Sequence, residues 1–479
     1  MRKTIIILLS LMAASLVSQA QIRLPEVITD NMVLQQGKQV TIWGEAAPMT
    51  EVTVQFMKQK RKATADQIGR WKVILEPMEA VLKPQVMTIR SGKHKVELNN
   101  ILVGEVWLAS GQSNMEYSMN NHTKYAKPRR GDKDYQYKAF IAADSPMIRV
   151  LHVKKQLTEP LPTDGWKTLT QESLAPVSAA GYFFAEHLSK ELNVPVGIIS
   201  SAWGGTPIEH WISEEAFEDS PIFENQVAFN KLNGVEIARR YDKMIAPIAP
   251  FAMKGIIWYQ GEQNLVQGDI EIYTEKQKLL IQDWRNRWND QSLAFHYVQL
   301  APHPYSTRRN DVIAKTWEVL PKFWQAQEAC LEVPGTGMAV ITDLVDKPSD
   351  IHPPYKWEVG RRLALLALAK TYGRTDVCCS GPTFRKVTFE GDTAIVEFDN
   401  VGDGLKTDDG KTPDWFWLSD HSGRFFKGEA SIIAPDKVAV KCKRYKKPSA
   451  VRFAWDEIAS PNLFNSAGLP VVPFGAKTK

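Results

Sequence analysis

The sequence predicts an α/β protein in which a parallel sheet is covered on both faces by helices, with a β-rich unit on either side. Three observations carry that expectation. Between 104 and 376, short apolar runs ending in Gly or Ser turns alternate with longer runs of helical period, the pattern of parallel strands joined by crossover helices. Before and after that stretch the runs are short, alternating and punctuated by turn residues. The length of 479 residues also exceeds what one compact core serves, so two or three units are the natural division.

In chain order, residues 1–20 read as a signal peptide. Arg2-Lys3 form the charged start, 5–17 the apolar run and Ser18-Gln19-Ala20 the small-residue cleavage site. The apolar run is shorter than the roughly 20 residues a bilayer-spanning helix needs. No cysteine follows the cleavage site, so no lipid anchor is indicated. The mature chain is expected to begin at Gln21, to be exported to the periplasm or beyond, and to be free of the membrane.

Composition narrows the partners. Hydrophobic residues make up 44% and charged residues 24%, ordinary values for a soluble globular protein. The net charge of +5 falls to +3 once Arg2 and Lys3 leave, and the one dense basic cluster, 441–447, reads as a solvated strand and turn. Nucleic acid is therefore not an expected partner, and nothing in the chain sets an oligomeric state. Four cysteines, Cys330, Cys378, Cys379 and Cys442, allow three pairings. Adjacent cysteines disfavour a bridge, so one staple or none is expected. Neither a Cys-x-x-Cys nor a His-Glu-x-x-His pattern occurs, and no metal or other cofactor is implied.

Residues 21–103 form the expected N-terminal β-unit, with strand-like runs at 40–43, 51–56, 71–75 and 86–89. Trp43 and Trp71 read as its core. In the central unit, 104–376, strands are expected at 106–110, 196–200, 255–259, 295–300 and 337–341, with helices over 180–192, 272–288 and 356–371. The polar segment 120–144 interrupts the alternation, and a loop of that length is expected to form one wall of a site. From 377 to 479 strand signals return at 393–398, 415–418, 438–440 and 450–455, followed by a loop-like tail.

Four short blocks lie beside these elements, and together they supply what acyl transfer requires. The run 106–110 drives into Gly111-Gln112-Ser113-Asn114, which places a serine hydroxyl on a turn at the carboxyl edge of the sheet, where open α/β sheets bind ligands. By itself such a serine is more often a turn residue or an N-cap. Gly204-Gly205-Thr206 is a turn whose backbone N–H groups can face an anion, although paired glycines ordinarily mark only a tight turn. In the block 258–264, Asn264 is either a side-chain donor or an N-cap. The block 349–353 contains Asp350 and His352. A serine needs a base whose pKa lies near the working pH, and His352 is the best of nine histidines because an acid lies so close to it. His303 has no acidic neighbour, and His210 reads as a packing or capping residue.

These four blocks resemble the consensus blocks of the SGNH hydrolases. More closely, the chain is similar to the sialate O-acetylesterase family of carbohydrate esterases. The likeness runs through Asp30-Asn31-Met32-Val33-Leu34-Gln35, Gly104-Glu105-Val106-Trp107-Leu108, Trp203-Gly204-Gly205-Thr206-Pro207, Trp258-Tyr259-Gln260-Gly261-Glu262, Asp350-Ile351-His352-Pro353 and Asn462-Leu463-Phe464-Asn465.

The resemblance implies an SGNH-type three-layer α/β/α domain and a serine esterase that removes O-acetyl groups from sialic acids. It implies Ser113 as nucleophile and His352 as general base. The oxyanion hole it implies is built from the backbone N–H groups of Ser113 and Gly205 with the Asn264 side chain, and Gln112 and Glu262 are possible supports. One departure stands out: the superfamily places its orienting Asp three residues before the His, and that position here is Ser349. Asp350, a backbone carbonyl or Asp343 is left to orient the ring. Acetylated xylan or another acetylated glycan is the alternative substrate. A non-catalytic sugar-binding protein using the β-units and fifteen Trp residues is the alternative of another class.

Overall fold

In the computed structural model, residues 21–124, 127–307 and 316–477 are described; the expected signal peptide, 1–20, lies outside them. The N-terminal unit contains β1 (Val33–Gln35), β2 (Val40–Glu45), β3 (Glu51–Phe56), β4 (Gln59–Thr64), β5 (Arg70–Leu75) and β6 (Val81–Ser91). Strand β7 (His94–Gly111) then runs for 18 residues, pairing with β6 and β1 at its start and entering the central sheet at its end. The expected boundary between 103 and 104 thus falls inside a single strand. Trp71 is buried here, as a core residue should be, and Trp43 is half-buried.

The central unit continues with α1 (Ser113–Glu116), α2 (Tyr135–Ile141), β8 (Ile148–Val153), β9 (Thr163–Thr168), α3 (Ala179–Leu192), β10 (Val196–Ala202) and β11 (Gly255–Tyr259). It ends with α4 (Glu262–Gln267), α5 (Tyr273–Trp288), β12 (Ala294–Val298), α6 (Val319–Ala329), β13 (Thr336–Ala339) and α7 (Lys356–Leu366). The sheet order is β13-β12-β11-β7-β10-β8-β9. Every pair in that order is parallel except β8–β9, so the sheet is mixed, with an antiparallel edge strand that the sequence reading lacked. The expected helix over 356–371 is α-helical to Leu366 and finishes as a π-turn over Ala367–Thr371.

Alternation along the central strands sends side chains to opposite faces. Trp107 packs edge-on against Phe184 of α3 at 4.9 Å. Helix α7 closes on α3 at Gly360, where a Cβ would lie 2.7 Å from the Ala180 carbonyl oxygen. On the other face Trp258 meets Trp211 and Trp284 of α5 edge-on, at 6.0 and 5.8 Å. All three of these indoles are fully buried, and truncating one to Ala would cost about 3–5 kcal/mol.

The C-terminal unit is built from β14 (Thr383–Glu390), β15 (Thr393–Asp399), β16 (Phe416–Ser419), β17 (Glu429–Ala434), β18 (Lys437–Lys441), β19 (Ala450–Phe453) and β20 (Phe474–Lys477). The tail is more ordered than expected, because Leu463–Asn465 pairs with Leu405–Thr407. Arg452 donates to Glu318 at 2.7 Å and Glu457 accepts from the Ser306 N–H at 2.8 Å, joining this unit to the central one. All four cysteines are free. Among the described residues no helix is long and apolar enough to cross a membrane.

Candidate active site

Three parallel strands end level with one another. Gly111 lies opposite Ala202 of β10 on one side and Tyr259 of β11 on the other. The chain therefore delivers Gln112-Ser113, Trp203-Gly204-Gly205 and Gln260-Gly261-Glu262 side by side along one sheet edge. Gly111 permits this approach: its φ is +140°, and a Cβ there would stand 2.2 Å from the Tyr259 carbonyl oxygen. Ser113 is half-buried at the start of α1.

The Gly204-Gly205 turn lies directly over the serine. A Cβ on Gly204 would come within 3.1 Å of the Ser113 Cβ. Gly205 is exposed, has φ +70°, and a Cβ there would meet open space. The N–H groups of Ser113 and Gly205 donate to nothing among the described residues. Glu116, three residues after the serine, fixes the turn. Its carboxylate accepts the Gly204 N–H through a short hydrogen bond and is held from the other side by Lys155 at 2.5 Å.

Asn114 and Gln112 lock the remaining blocks. The Gln112 side-chain oxygen accepts from the N–H groups of Gly261 and Gln263 at 3.4 and 3.2 Å. Asn114 Nδ2 donates to Glu262 Oε1 at 2.6 Å and to the Ile351 carbonyl at 3.0 Å. The neighbour of Ser113 thus grips the neighbour of His352. Lys356, wholly buried at the head of α7, donates to Asn114 Oδ1 at 2.7 Å and to the Pro353 carbonyl at 2.9 Å. Burial pushes Lys356 down to about 7, against the attraction of Glu262 and Asp350. Burial likewise raises Glu262, whose Oε2 has no partner among the described residues.

His352 is half-buried beside this cluster. Burial lowers its pKa to about 4, Lys356 lowers it further, and Asp350 opposes the shift. At neutral pH the ring is in the form that accepts a proton. Asp350 Oδ1 is 3.9 Å from His352 Nδ1, beyond a hydrogen bond, and it accepts the His352 backbone N–H at 2.9 Å instead. Asp350 therefore acts on the ring by charge and by shaping the loop. Both oxygens of Asp343 accept from Arg362, at 2.7 and 2.6 Å. His303 braces the same loop at the Pro348 carbonyl, 2.8 Å away.

Asn264 departs from its expected role. It is fully buried, and Nδ2 donates to Glu209 at 3.0 Å and to Asp269 at 3.1 Å. Its oxygen accepts from the Ile208 N–H and from Gln260 Nε2. With both amide protons directed at carboxylates, the side chain has none to offer an oxyanion. It instead ties α4 to the Ile208–Trp211 turn, where Lys276 bridges Glu209 at 2.7 Å and Asp269 through a shorter contact. Sequence reasoning missed Glu116 and Lys356, and only the first carried a signal, as the acid closing Ser-Asn-Met-Glu.

The described part of the segment 120–144 reaches the loop that carries His352. The Arg130 N–H donates to the Tyr355 hydroxyl at 3.0 Å, and Tyr355 donates to Asp346 at 2.6 Å. A cavity of about 670 Å³ opens there, lined by Tyr117, His122, Tyr137, Pro354 and Trp357 among others. Another, of about 1080 Å³, is lined by Trp43, Trp71, Pro160 and Pro250 and includes no residue of the four blocks.

Comparison with known proteins agrees with this geometry. Residues 103–367 match the family described as carbohydrate esterase, sialic acid-specific acetylesterase. The chain is 26% identical to human sialate O-acetylesterase, over 94% of this chain and 92% of that one. It is 25% identical to the mouse enzyme of the same name, over 95% and 94%. The crystal structure of a carbohydrate acetylesterase from Xanthomonas citri superposes with a TM-score of 0.83 at 32% identity, covering 96% of this chain and all of the other.

Proposed function

The chain belongs to the sialic acid-specific acetylesterase family of carbohydrate esterases, and from that premise we propose that it removes O-acetyl groups from sialic acids through an acetyl-serine intermediate. It is a carboxylic ester hydrolase of acetylated sugars; the sialate substrate and the residue roles are our reading. The observation that supports them is the half-buried Ser113 under the Gly204-Gly205 turn, with the N–H groups of Ser113 and Gly205 unused among the described residues and the His352 loop pinned alongside.

His352 takes the proton of Ser113 Oγ as the oxygen attacks the acetyl carbonyl. Negative charge gathers on the carbonyl oxygen, where the N–H groups of Ser113 and Gly205 meet it. His352 then gives its proton to the departing sugar oxygen. Water, deprotonated by the same ring, attacks the acetyl-serine; the ring returns the proton to Ser113 Oγ as the acyl bond breaks, and acetate is released. Asp350 stabilises the transient imidazolium by its charge. The sequence of residues 1–20 supports an exported enzyme acting in the periplasm or outside the cell.

Acetate release from O-acetylated sialic acid and from acetylated xylan, by the wild type and by Ser113→Ala, tests this reading. Release from the sialic acid that disappears in the variant is the expected result. Release from xylan alone would replace the substrate, and release that survives in Ser113→Ala would overturn the mechanism. Labelling of Ser113 by a serine-directed organophosphonate separates an esterase from a sugar-binding protein.

A further inference from the structure

The cavity of about 1080 Å³ beside Trp43 shares no residue with the four blocks, and the chemistry proposed for Ser113 makes no use of it. Both units build its walls. The N-terminal unit supplies the β2–β5 ribbon, and the central unit supplies Glu159, Pro160 and Pro250. The volume matches the upper end of ligand clefts, roughly 1,000 Å³, and leaves room for more than one sugar unit.

The ribbon presents an aromatic ring among polar groups. Along β2, Val40 and Ile42 are buried, whereas Thr41 and Trp43 are half-buried and line the cavity. On β5, Arg70 and Lys72 are exposed and line it too, and Lys72 lies directly opposite Trp43. Residues two apart on one face of a strand are roughly 7 Å apart, so the indole has polar neighbours on more than one side.

These groups are unused and within reach of a ligand. The Trp43 indole N–H and the side chains of Thr41, Arg70 and Lys72 have no partner among the described residues. The Trp43 N–H is also open to solvent, unlike that of Trp71, which is sealed without a partner. A flat apolar face beside open donors and acceptors suits a pyranose, whose C–H face packs on the ring while its hydroxyls meet the polar groups. Three basic side chains line the cavity against four acidic ones. Their charges nearly cancel, which favours a neutral chain over a polyanion.

We propose that this cleft is a second carbohydrate-binding site, which holds a neutral, unacetylated stretch of the glycan that carries the ester, with Trp43 as its stacking platform. The proposal stands on the chain's membership of a carbohydrate esterase family and is independent of which sugar bears the acetyl group. A polymer held at this cleft presents its esters at a raised effective concentration, whereas a small ester gains nothing.

Affinity electrophoresis of the mature enzyme in native gels containing deacetylated xylan or desialylated mucin measures this binding with no ester to turn over. The wild type should be retarded by at least one of the two, and the one that retards it identifies the source of the chain. Trp43→Ala should weaken retardation by at least about tenfold in apparent Kd, Trp43→Tyr by less, and Lys72→Ala by about threefold. On the acetylated parent of the same chain, Trp43→Ala should raise KM with kcat unchanged, and p-nitrophenyl acetate turnover should match the wild type. No retardation by either chain would overturn the proposal, as would retardation that is unchanged in Trp43→Ala. Retardation abolished by about 1 M salt, where charges are screened within about 3 Å, would mark a charged ligand and also overturn it. If Trp43→Ala loses p-nitrophenyl acetate turnover as well, Lys72→Ala decides: weakened retardation there supports the site, and unchanged retardation overturns it.

Discussion

Lys356 Nζ donates to Asn114 Oδ1 at 2.7 Å where neither side chain meets solvent. The lysine that opens the helix after His352 is thus tied to the residue beside Ser113.

Lys356→Met is expected to loosen that tie and lower kcat by about tenfold or more, since small errors in placing reacting groups are expensive. Loss of the nearby cation should also raise the pKa of His352, moving the acid limb of kcat/KM to higher pH. Stability gives a second signature. The lysine titrates near 7 when folded and near about 10.4 when unfolded, so the unfolded chain binds more protons between those values. Wild-type stability relative to Lys356→Met should therefore rise with pH across that window, as denaturant melts at several pH values would show.

On the proposed role of His352, the pH profile of the wild type is expected to follow that ring. Because burial holds the ring near 4, kcat/KM should stay high through pH 6 and fall only as the ring protonates near pH 4. The unfolded ring titrates near about 6.5, so this residue's contribution to stability declines as pH drops from 6.5 towards 4. Asp350→Asn removes the charge that opposes the shift. It should move the acid limb to still lower pH while lowering kcat roughly tenfold to a hundredfold.

Glu116→Ala frees the Gly204 N–H and the turn that carries Gly205. Steady-state kinetics should show kcat lower by about tenfold to a hundredfold with KM little changed. Lys155→Ala removes only the outer partner of Glu116, an exposed contact of the kind worth about 0–1 kcal/mol. Its kcat should stay within about threefold of wild type; a larger fall than in Glu116→Ala would contradict the strut.

Asn264→Ala separates a bracing residue from an oxyanion donor. Losing its bonds to Glu209 and Asp269 should destabilise the fold by about 2–3 kcal/mol in denaturant melts. At temperatures where the variant is folded, kcat should fall by less than about tenfold. A loss of about 10²–10³, that of a missing oxyanion donor, would restore the direct role.

The common edge of the site was legible because its cause is local. Apolar runs that stop at Gly111, Ala202 and Tyr259 read as strands closing in turns, and parallel pairing then brings those turns together. Side-chain direction at Asn264 was not legible, since the acids that claim its amide arrive from the turn at Glu209 and the loop at Asp269. Lys356 was missed for the opposite reason. Lysines ordinarily face water, and this one is held inside by two acceptors, the Pro353 carbonyl and Asn114, the second more than 200 residues away in sequence. The paired tail was missed because its partner, 405–407, lies far along the chain; the edge strand β9 was missed because its run, Thr163-Asp164-Gly165-Trp166-Lys167-Thr168, is polar and carries a glycine.

Strand β7 carries a last consequence. Its first half is the seam of the N-terminal unit and its final residues lead directly to Ser113, all within one continuous strand. The two units share a rod rather than a linker. Pulling, heating or trimming the N-terminal unit therefore loads the serine directly, and the enzyme should lose activity in step with its N-terminal sheet, melting as one body rather than shedding an appendage.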